Sequence, residues 1–537
     1  MRPPTRIRLG LWLPDSHASH HERAFAQWAH LQAGIELILL HPPSWAASST
    51  TRRPAPLFAG LLVLEAARLR RGGRHRSHLE SFVVGQLPGT AIICRSPASD
   101  AGTEREVDLD LIVCLGVDLP PNDVATSARL GVLAFGWADP ARRNGLPVGF
   151  WEVHERHETT GFSILSFKER GKTLDELFRG RVPTRHYHLL NQAALYEKAI
   201  HFLRSILTAW LATGRLPAPR PSVPASDRDR GMPSSAHALV YLGRQVLAVA
   251  SKKFVRLTGR QERWKVSFLR CAWRQAAMSQ GCAIDNPPGR YLADPFVIRR
   301  DNRDYCFVED FDCTTQRGAI SVYELGASGA TRLGFAIEEP FHLSFPFLFE
   351  YAGALFMCPE SSAHRDIRIY RCVDFPLRWQ LEKVVNTDVD AVDTMFVKHQ
   401  DRWWMLTNMD PAQTGEVCSE LYVFSADSPF ADAWVPHAGN PVIFDAAYAR
   451  NGGLLTDGGK IFRVSQRQGF DRYGQGAQIN QIVTMTDTEY VERCIEKIDP
   501  TFEAGLLGTH HMHGCNNMTV FDSLSYVRIL PPVPVRP

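Results

Sequence analysis

Acidic and amide side chains recur at matching places along the C-terminal half of this 537-residue chain: Asp294, Glu309 and Asp310, Glu360, Asp393, Asn408, Asn451 and Gln466. Two carboxyl groups across a small polar cavity can share the work of glycosyl transfer. One stays ionised as base or nucleophile, and the other, with a raised pKa, acts as acid. Asp294, Glu360 and Asp393 lie far apart in the chain, so such chemistry requires a fold that gathers them.

The pattern around them supplies one. "ADPFVIRRDNRDYCFVEDFD", "SFPFLFEYAGALFMCPESS", "VDTMFVKHQDRWWMLTNMD" and "RNGGLLTDGGKIFRVSQRQ" each read as strand, polar turn, strand and polar pair, followed by a further strand. A fifth, weaker unit ends in "HHMHGCNNMTVFD". Repeated antiparallel sheets of about 50 residues predict a β-propeller, because a lone blade cannot bury both faces but a ring of blades can. Asp294, Phe345, Asp393 and Asn451 then occupy one equivalent position around the axis, and Glu309/Asp310, Glu360, Asn408 and Gln466 another. Phe296, Phe345, Trp403 and Tyr473 are expected to stack on sugar faces. Arg450 is expected to grip a phosphate, and His342, Gln466 and Gln468 to bind hydroxyls. His511 and His513 share one strand face, either as a metal-ligand pair or as buried axial histidines.

Residues 1–213 alternate apolar strands with helical stretches, which predicts an α/β domain with a parallel sheet. Residues 214–262 read as a Pro-, Ser- and Arg-rich linker and a basic amphipathic helix, and 263–537 as the propeller. The helix, about 236–258, is expected to pack against the propeller side or to rest on an anionic membrane surface. The basic tract "ARLRRGGRHR", 67–76, reads as a charged helix end. Net charge is +3, which excludes a global field for nucleic acid. Eleven cysteines without a C-x-x-C pair point to reduced, mostly buried thiols and a cytoplasmic protein, peripheral to a membrane at most.

"YLADPFVI" and "VDTMFV" resemble blade signatures of the five-bladed arabinanase and β-xylosidase-like glycoside hydrolases. That resemblance implies Asp294 as general base and Asp393 as the carboxylate that tunes pKa and orients substrate. It puts Asn451 at the position of the acid, so Glu360 or Glu309 must substitute. The longer stretches "EEPFHLSFPFLFEYAGALFMCPES", "DTMFVKHQDRWWMLTN" and "RYGQGAQINQI" resemble the N-terminal domain of the glucosamine inositolphosphorylceramide transferase family over about 263–530. This implies carbohydrate work on a phosphate-bearing lipid acceptor.

"RLGVLAFGWADPARRNGLPVGFWEVHERHETTGFSILSF" resembles the formyltransferase pattern, implying a Rossmann-type fold. Ala134 and Gly136 replace that family's Asn-x-His, and Asp175 is the nearest counterpart of its aspartate, so formyl transfer is not expected. The resulting expectation is glycosyl transfer in glycoconjugate assembly, with Asp294, Asp393 and Glu360 as catalytic residues. The alternatives are an arabinanase-like hydrolase and a non-catalytic glycan-binding module. The ligand is a sugar, sugar-phosphate or nucleotide-sugar, with a lipid-linked acceptor. No cofactor is expected beyond an axial cation.

Overall fold

The computed structural model describes residues 6–42, 54–71, 73–93, 108–137, 146–169, 174–220 and 231–528. Residues 221–230 of the expected linker and the end of the "TAIICR" run lie outside them. The chain divides into two compact units, Met1–Val246 and Leu247–Pro537, the division falling inside the helix Ser235–Leu257.

The first unit is built on a seven-stranded sheet. Its order is Thr90–Ile93, Ile35–His41, Ile7–Trp12, Leu111–Cys114, Val132–Gly136, Thr159–Phe167 and Asp175–Pro183. The first five strands are parallel, and the last two run antiparallel. Runs such as "IELILLH" and "LIVC" lack polar alternation because a parallel sheet is covered on both faces. The helix His20–Leu31 opens on a capping box in which Ser19 and Glu22 satisfy each other's backbone N–H. Arg68, Arg70 and Arg71 occupy the last turn of Pro56–Arg71, and Arg74 pairs with Glu197 at 3.6 Å, so the basic tract is a helix end. Ala134 is buried, and a Cβ at Gly136 would lie 2.5 Å from Ser163 Oγ, so neither position offers a polar side chain. Asp175 is exposed at the start of its strand.

The second unit is a five-bladed propeller. Four blades follow in chain order, with innermost strands Arg290–Arg300, Ser344–Tyr351, Ala391–His399 and Asn451–Asp457. The fifth blade closes the ring by pairing the unit's first strand, Arg260–Leu269, with its last, Met518–Arg528. The short strands Leu506–Gly508 and Met512–Cys515 pair with the other edge of Met518–Arg528. Joining the two ends in one sheet leaves neither as an open edge. Between blades the core is aromatic: Phe296 meets Phe345 edge to face, with ring centroids 5.0 Å apart, within a cluster that includes Phe347, Phe349, Phe356 and Trp403.

Each of the first four blades carries the same irregularity. The register slips between Ala293 and Phe296, Ser344 and Phe347, Val392 and Met395, and Asn451 and Leu454. The two bulged residues are therefore Asp294-Pro295, Phe345-Pro346, Asp393-Thr394 and Gly452-Gly453. Asp294, Phe345 and Asp393 have φ of 49°, 45° and 51°, a left-handed backbone that costs about 1–3 kcal/mol per residue. This corrects the expected alignment by one residue: the counterpart of Asp294 and Asp393 in the fourth blade is Gly452, while Asn451 matches Ala293.

The fourth blade needs glycine because the fifth passes close by. A Cβ on Gly452 would lie 2.3 Å from the His510 carbonyl oxygen, and one on Gly453 (φ 124°) 2.2 Å from that of Met512. Neither oxygen belongs to a flexible side chain. Gly453→Ala is expected to cost on the order of 2–3 kcal/mol through strain and backbone displacement, measurable as a lower denaturant midpoint.

None of the ten described cysteines is in a disulfide. Three are buried, five half-buried and two exposed, fewer buried than the sequence leads one to expect. Among the described residues no helix is long and apolar enough to cross a membrane.

Candidate functional site

The bulges decide which side chains meet. Successive residues of a strand point to opposite faces, and the left-handed turn at each bulge redirects Asp294 and Asp393 inward. Glu309 and Glu360 stand opposite Ala293 and Ser344, beside the bulges of the first and second blades. The result is a cluster of carboxyl groups drawn from four blades: Asp294, Glu309, Glu360, Asp393 and Asp522. Glu360, Asp294 and Glu309 reach solvent by only about a tenth of their side-chain surface.

Two cations organise the cluster. Arg450 places Nε 2.7 Å from Asp393 and Nη2 3.6 Å from Glu360, with its guanidinium over the Tyr473 ring at 4.9 Å. Burial disfavours its charge, but Asp393 and Glu360 outweigh that and keep it a cation. His510 lies with Nδ1 2.8 Å from Asp522 and Nε2 3.4 Å from Asp294, its ring stacked on Trp264 at 4.0 Å. Burial alone would lower the His510 pKa, but the Asp522 carboxylate raises it, and His510 in turn holds Asp522 below the usual carboxylate range. Asp522 also accepts the backbone N–H groups of His510 and His511 at 3.0 and 3.1 Å.

At Asp294, Asp393 and Glu309 burial prevails over the neighbouring cations and favours the protonated form. Burial pushes Asp294 up to about 7, with His510 opposing and Asp393 reinforcing. Asp393 is likewise pushed to about 7 by burial, against the pull of Arg450. Glu309 goes well above the usual range, because burial and the nearby charges of Asp294 and Glu360 all favour its neutral form. These groups titrate as one cluster. His342 borders it, with Nε2 3.6 Å from Glu309 and Nδ1 accepting the Gly318 N–H at 2.8 Å.

Within the same unit, an open cavity of about 720 Å³ is lined by Trp264, Tyr291 and Tyr473 and by charged residues of both signs: Lys252 pairs with Asp471 at 3.5 Å and Arg472 with Glu262 at 3.4 Å, while Arg256 and Arg260 complete the wall. Trp264 and Tyr473 are also the rings against His510, so the cavity's aromatic wall adjoins the carboxyl cluster.

Several expected site residues do other work. Asp310 is fully buried and held by Arg290 and Arg332, on the opposite face of its strand from Glu309. Asn408 donates to the carbonyls of Glu420 and Ala449 and accepts the Asn451 N–H. Asn451 donates to the carbonyls of Asp393 and Leu406. These two amides stitch the third blade to the fourth and offer nothing to a ligand.

Arg450 is engaged by two carboxylates and so is not free to grip a phosphate. Phe296, Phe345 and Trp403 are buried in the inter-blade core, leaving Tyr473 alone of the four expected stacking rings in the cavity wall.

Gln466 lies within the cluster, donating to Asp393 at 3.0 Å and to the Asn451 carbonyl. Gln468 accepts the Gly474 N–H. Both glutamines are buried. His511 and His513 share a face, as expected, but that face packs on Phe296, and burial lowers both pKa values, His513 to about 4.

His510, Asp522, Trp264 and Tyr291 were not among the expected site residues. Alternation from His513 selects His511 and passes over His510. Asp522 lies in the middle of the strand Met518–Arg528 with no counterpart in the other repeats, and Trp264 enters through the ring-closing strand. For an axial cation, Asp294, His510 and Asp522 each offer a ligand atom within 4.8 Å of the others. His510 would have to give up the proton that Asp522 now stabilises.

The fold and the cluster define the class: a five-bladed β-propeller with a buried multi-carboxyl centre adjoining a cavity with aromatic and charged walls. Residues 264–508 carry the domain described as glucosamine inositolphosphorylceramide transferase 1, N-terminal. The chain is similar to the Arabidopsis thaliana glucosamine inositolphosphorylceramide transferase 1, at 35% identity over 211 residues, 38% of this chain and 27% of the relative. The Oryza sativa subsp. japonica protein of the same name is 32% identical over 229 residues, 41% of this chain and 30% of the relative. The chain thus spans less than a third of the length of these curated relatives.

Among solved structures, the catalytic domain of a Coprinopsis cinerea alpha-L-arabinofuranosidase aligns with 49% of this chain and 96% of its own, at 11% identity and a TM-score of 0.34. A Lactobacillus brevis alpha-L-arabinofuranosidase aligns with 43% and 81%, at 14% and 0.32. These structural likenesses are remote.

Proposed function

We propose that the propeller is carbohydrate-active and transfers a glycosyl group in glycoconjugate assembly. Asp294 acts as base or nucleophile, and Glu309 as acid. The observation that carries this reading is the divergence of two adjacent carboxyls. Burial raises both, but His510 opposes it at Asp294 and leaves that group near 7, while at Glu309 burial and the charges of Asp294 and Glu360 all favour the protonated form. Such a pair divides into base and acid. Glu360, the acid expected from the sequence, is occupied by Arg450 and by the Ser362 hydroxyl at 2.8 Å. Asp393, gripped by Arg450 and Gln466, keeps its orienting role.

Trp264 and Tyr473 supply a stacking surface for a sugar ring. Arg256 and Arg260 in the cavity wall suit a phosphate on the donor or on a lipid-linked acceptor. The relatives' name, a transferase of inositolphosphorylceramide, favours transfer over hydrolysis.

Incubation with activated sugar donors and phosphate-bearing acceptors tests the assignment. Transfer is expected with the unaltered protein and is lost in Glu309→Gln. Sugar release from aryl glycosides, also lost in Asp294→Asn, would instead make the protein a hydrolase. Ligand binding that survives both substitutions without turnover would make it a binding module. Arg256→Ala with Arg260→Ala is expected to raise KM for phosphate-bearing substrates about tenfold while kcat changes little, because the phosphate contact is made equally in ground and transition states.

For the N-terminal unit we infer a formyltransferase-like fold without formyl transfer, on the strand order and on the apolar character of positions 134 and 136.

A further inference from the structure

The helix Ser235–Leu257 is amphipathic in the reverse of the usual sense. Ala238 and Tyr241 are its buried residues, Tyr241 donating to Glu65 at 2.5 Å and accepting the His188 N–H at 2.8 Å. The large apolar side chains point the other way: Leu239, Leu242, Val246, Leu247, Val249, Phe254 and Leu257 are all exposed, Leu247 at 70%, Phe254 at 67% and Leu257 at 76%. At about 100° per residue they fill an arc of roughly 180°. A surface helix of a soluble protein normally turns such an arc inward. Within the second unit the propeller leaves Leu247, Val249, Phe254 and Leu257 uncovered.

The charge pattern identifies what does. The 23 residues contain no Asp or Glu, but they carry Arg244, Lys252, Lys253 and Arg256; Arg260, Glu262 and Arg263 follow, with Glu262 paired to Arg472 at 3.4 Å. Lys253 lies within the apolar arc, where its stem can run along the buried face and its ammonium reach outward. An exposed apolar arc on a helix whose own charges are all positive is complementary to the interface of an anionic bilayer. A protein partner would be expected to meet a mixed-charge rim. The charges also keep the helix at the surface rather than across the bilayer.

We propose that the helix Ser235–Leu257 docks the protein on anionic membrane surfaces, its apolar arc in the acyl–headgroup boundary. In the last two turns Phe254 and Leu257 face the lipid, while Lys252, Val255 and Arg256 line the propeller cavity. The docked face and the cavity wall thus occupy the same stretch of helix, and a lipid-linked acceptor would meet the cavity at the bilayer surface. Docking does not depend on the reaction assigned to the cavity.

Co-sedimentation of the full chain with vesicles of phosphatidylcholine alone, and of phosphatidylcholine with phosphatidylserine, tests this. Binding is expected to the mixed vesicles, weakening with salt. Leu247→Asp and Phe254→Asp are each expected to reduce it about tenfold or more, and Lys253→Gln several-fold. Circular dichroism should show no loss of helix, because these side chains make no buried contacts. Equal partition to both vesicle types, or none to either, overturns the proposal. So does a solution dimer, seen by light scattering, that Leu247→Asp dissociates, for then a second copy covers the face.

Discussion

Asp294→Asn is expected to lower glycosyl turnover by about 10²–10⁴-fold, the usual contribution of a positioned proton-transfer group, and by more if Asp294 is the nucleophile. An amide at this site keeps the shape and the left-handed backbone, which asparagine tolerates well, but neither takes a proton nor attacks carbon. The substitution is also expected to stabilise the fold at alkaline pH. A carboxyl whose folded pKa is about 7 against an ordinary 3.8 binds more protons folded than unfolded between those values, so its contribution to stability falls as pH rises through that window. Asp294→Asn removes that contribution, and its melting temperature at pH 8 should exceed that of the unaltered protein.

The same titrations shape the rate. Activity should rise as pH passes about 7, where the coupled pair Asp294 and Asp393 titrates, and fall at higher pH, where Glu309 loses its proton. Any activity left in Glu309→Gln should lack the alkaline limb and keep the acidic one. A profile with no limb near 7 would sink the assignment of Asp294.

Arg463→Leu is expected to destabilise the propeller by about 3–5 kcal/mol, the cost of leaving a buried ion without its partner. Arg463 is fully buried in the fourth blade. Its Nε and Nη2 lie 2.6 and 2.8 Å from the two oxygens of Glu492, and it also donates to the carbonyls of Tyr448 and Ala449. Leucine fills part of the volume but leaves the Glu492 carboxylate without its cation and takes a donor from the Tyr448 carbonyl, while the Ala449 carbonyl keeps Asn408. Chemical denaturation measures the loss, and the double substitution Arg463→Leu with Glu492→Leu should recover part of it, since the remaining charge is then gone. Recovery in the double variant would separate a buried-charge cost from simple loss of packing.

Much of this architecture was legible in the chain. The repeat of strand, polar turn and strand set the number of blades, and the long apolar runs before residue 140 marked the parallel sheet. The acidic residues of the hairpins pointed to the axis, and Asp294 and Asp393 were identified by their place in the repeat. His510 and Asp522 were not, because neither has an equivalent in the other blades. The role expected of Arg450 as a phosphate ligand came from its charge and position alone, and its two carboxylate partners come from the second and third blades.

What the amino-acid pattern alone determined is periodic: which segments form strands, how many sheets there are, and which side chains alternate along each. The tertiary structure decided which face each alternation presents. A two-residue bulge resets the parity of the strand, so that Asp294 and Asp393 turn inward, Asn451 becomes a stitch between blades, and Gly452 takes the position that carries a carboxylate in the first and third blades. Glu309 and Asp310 show the same division between neighbours, one joining the cluster and the other closing a buried ion pair. Facing depends on register, and register is settled only when the blades pack.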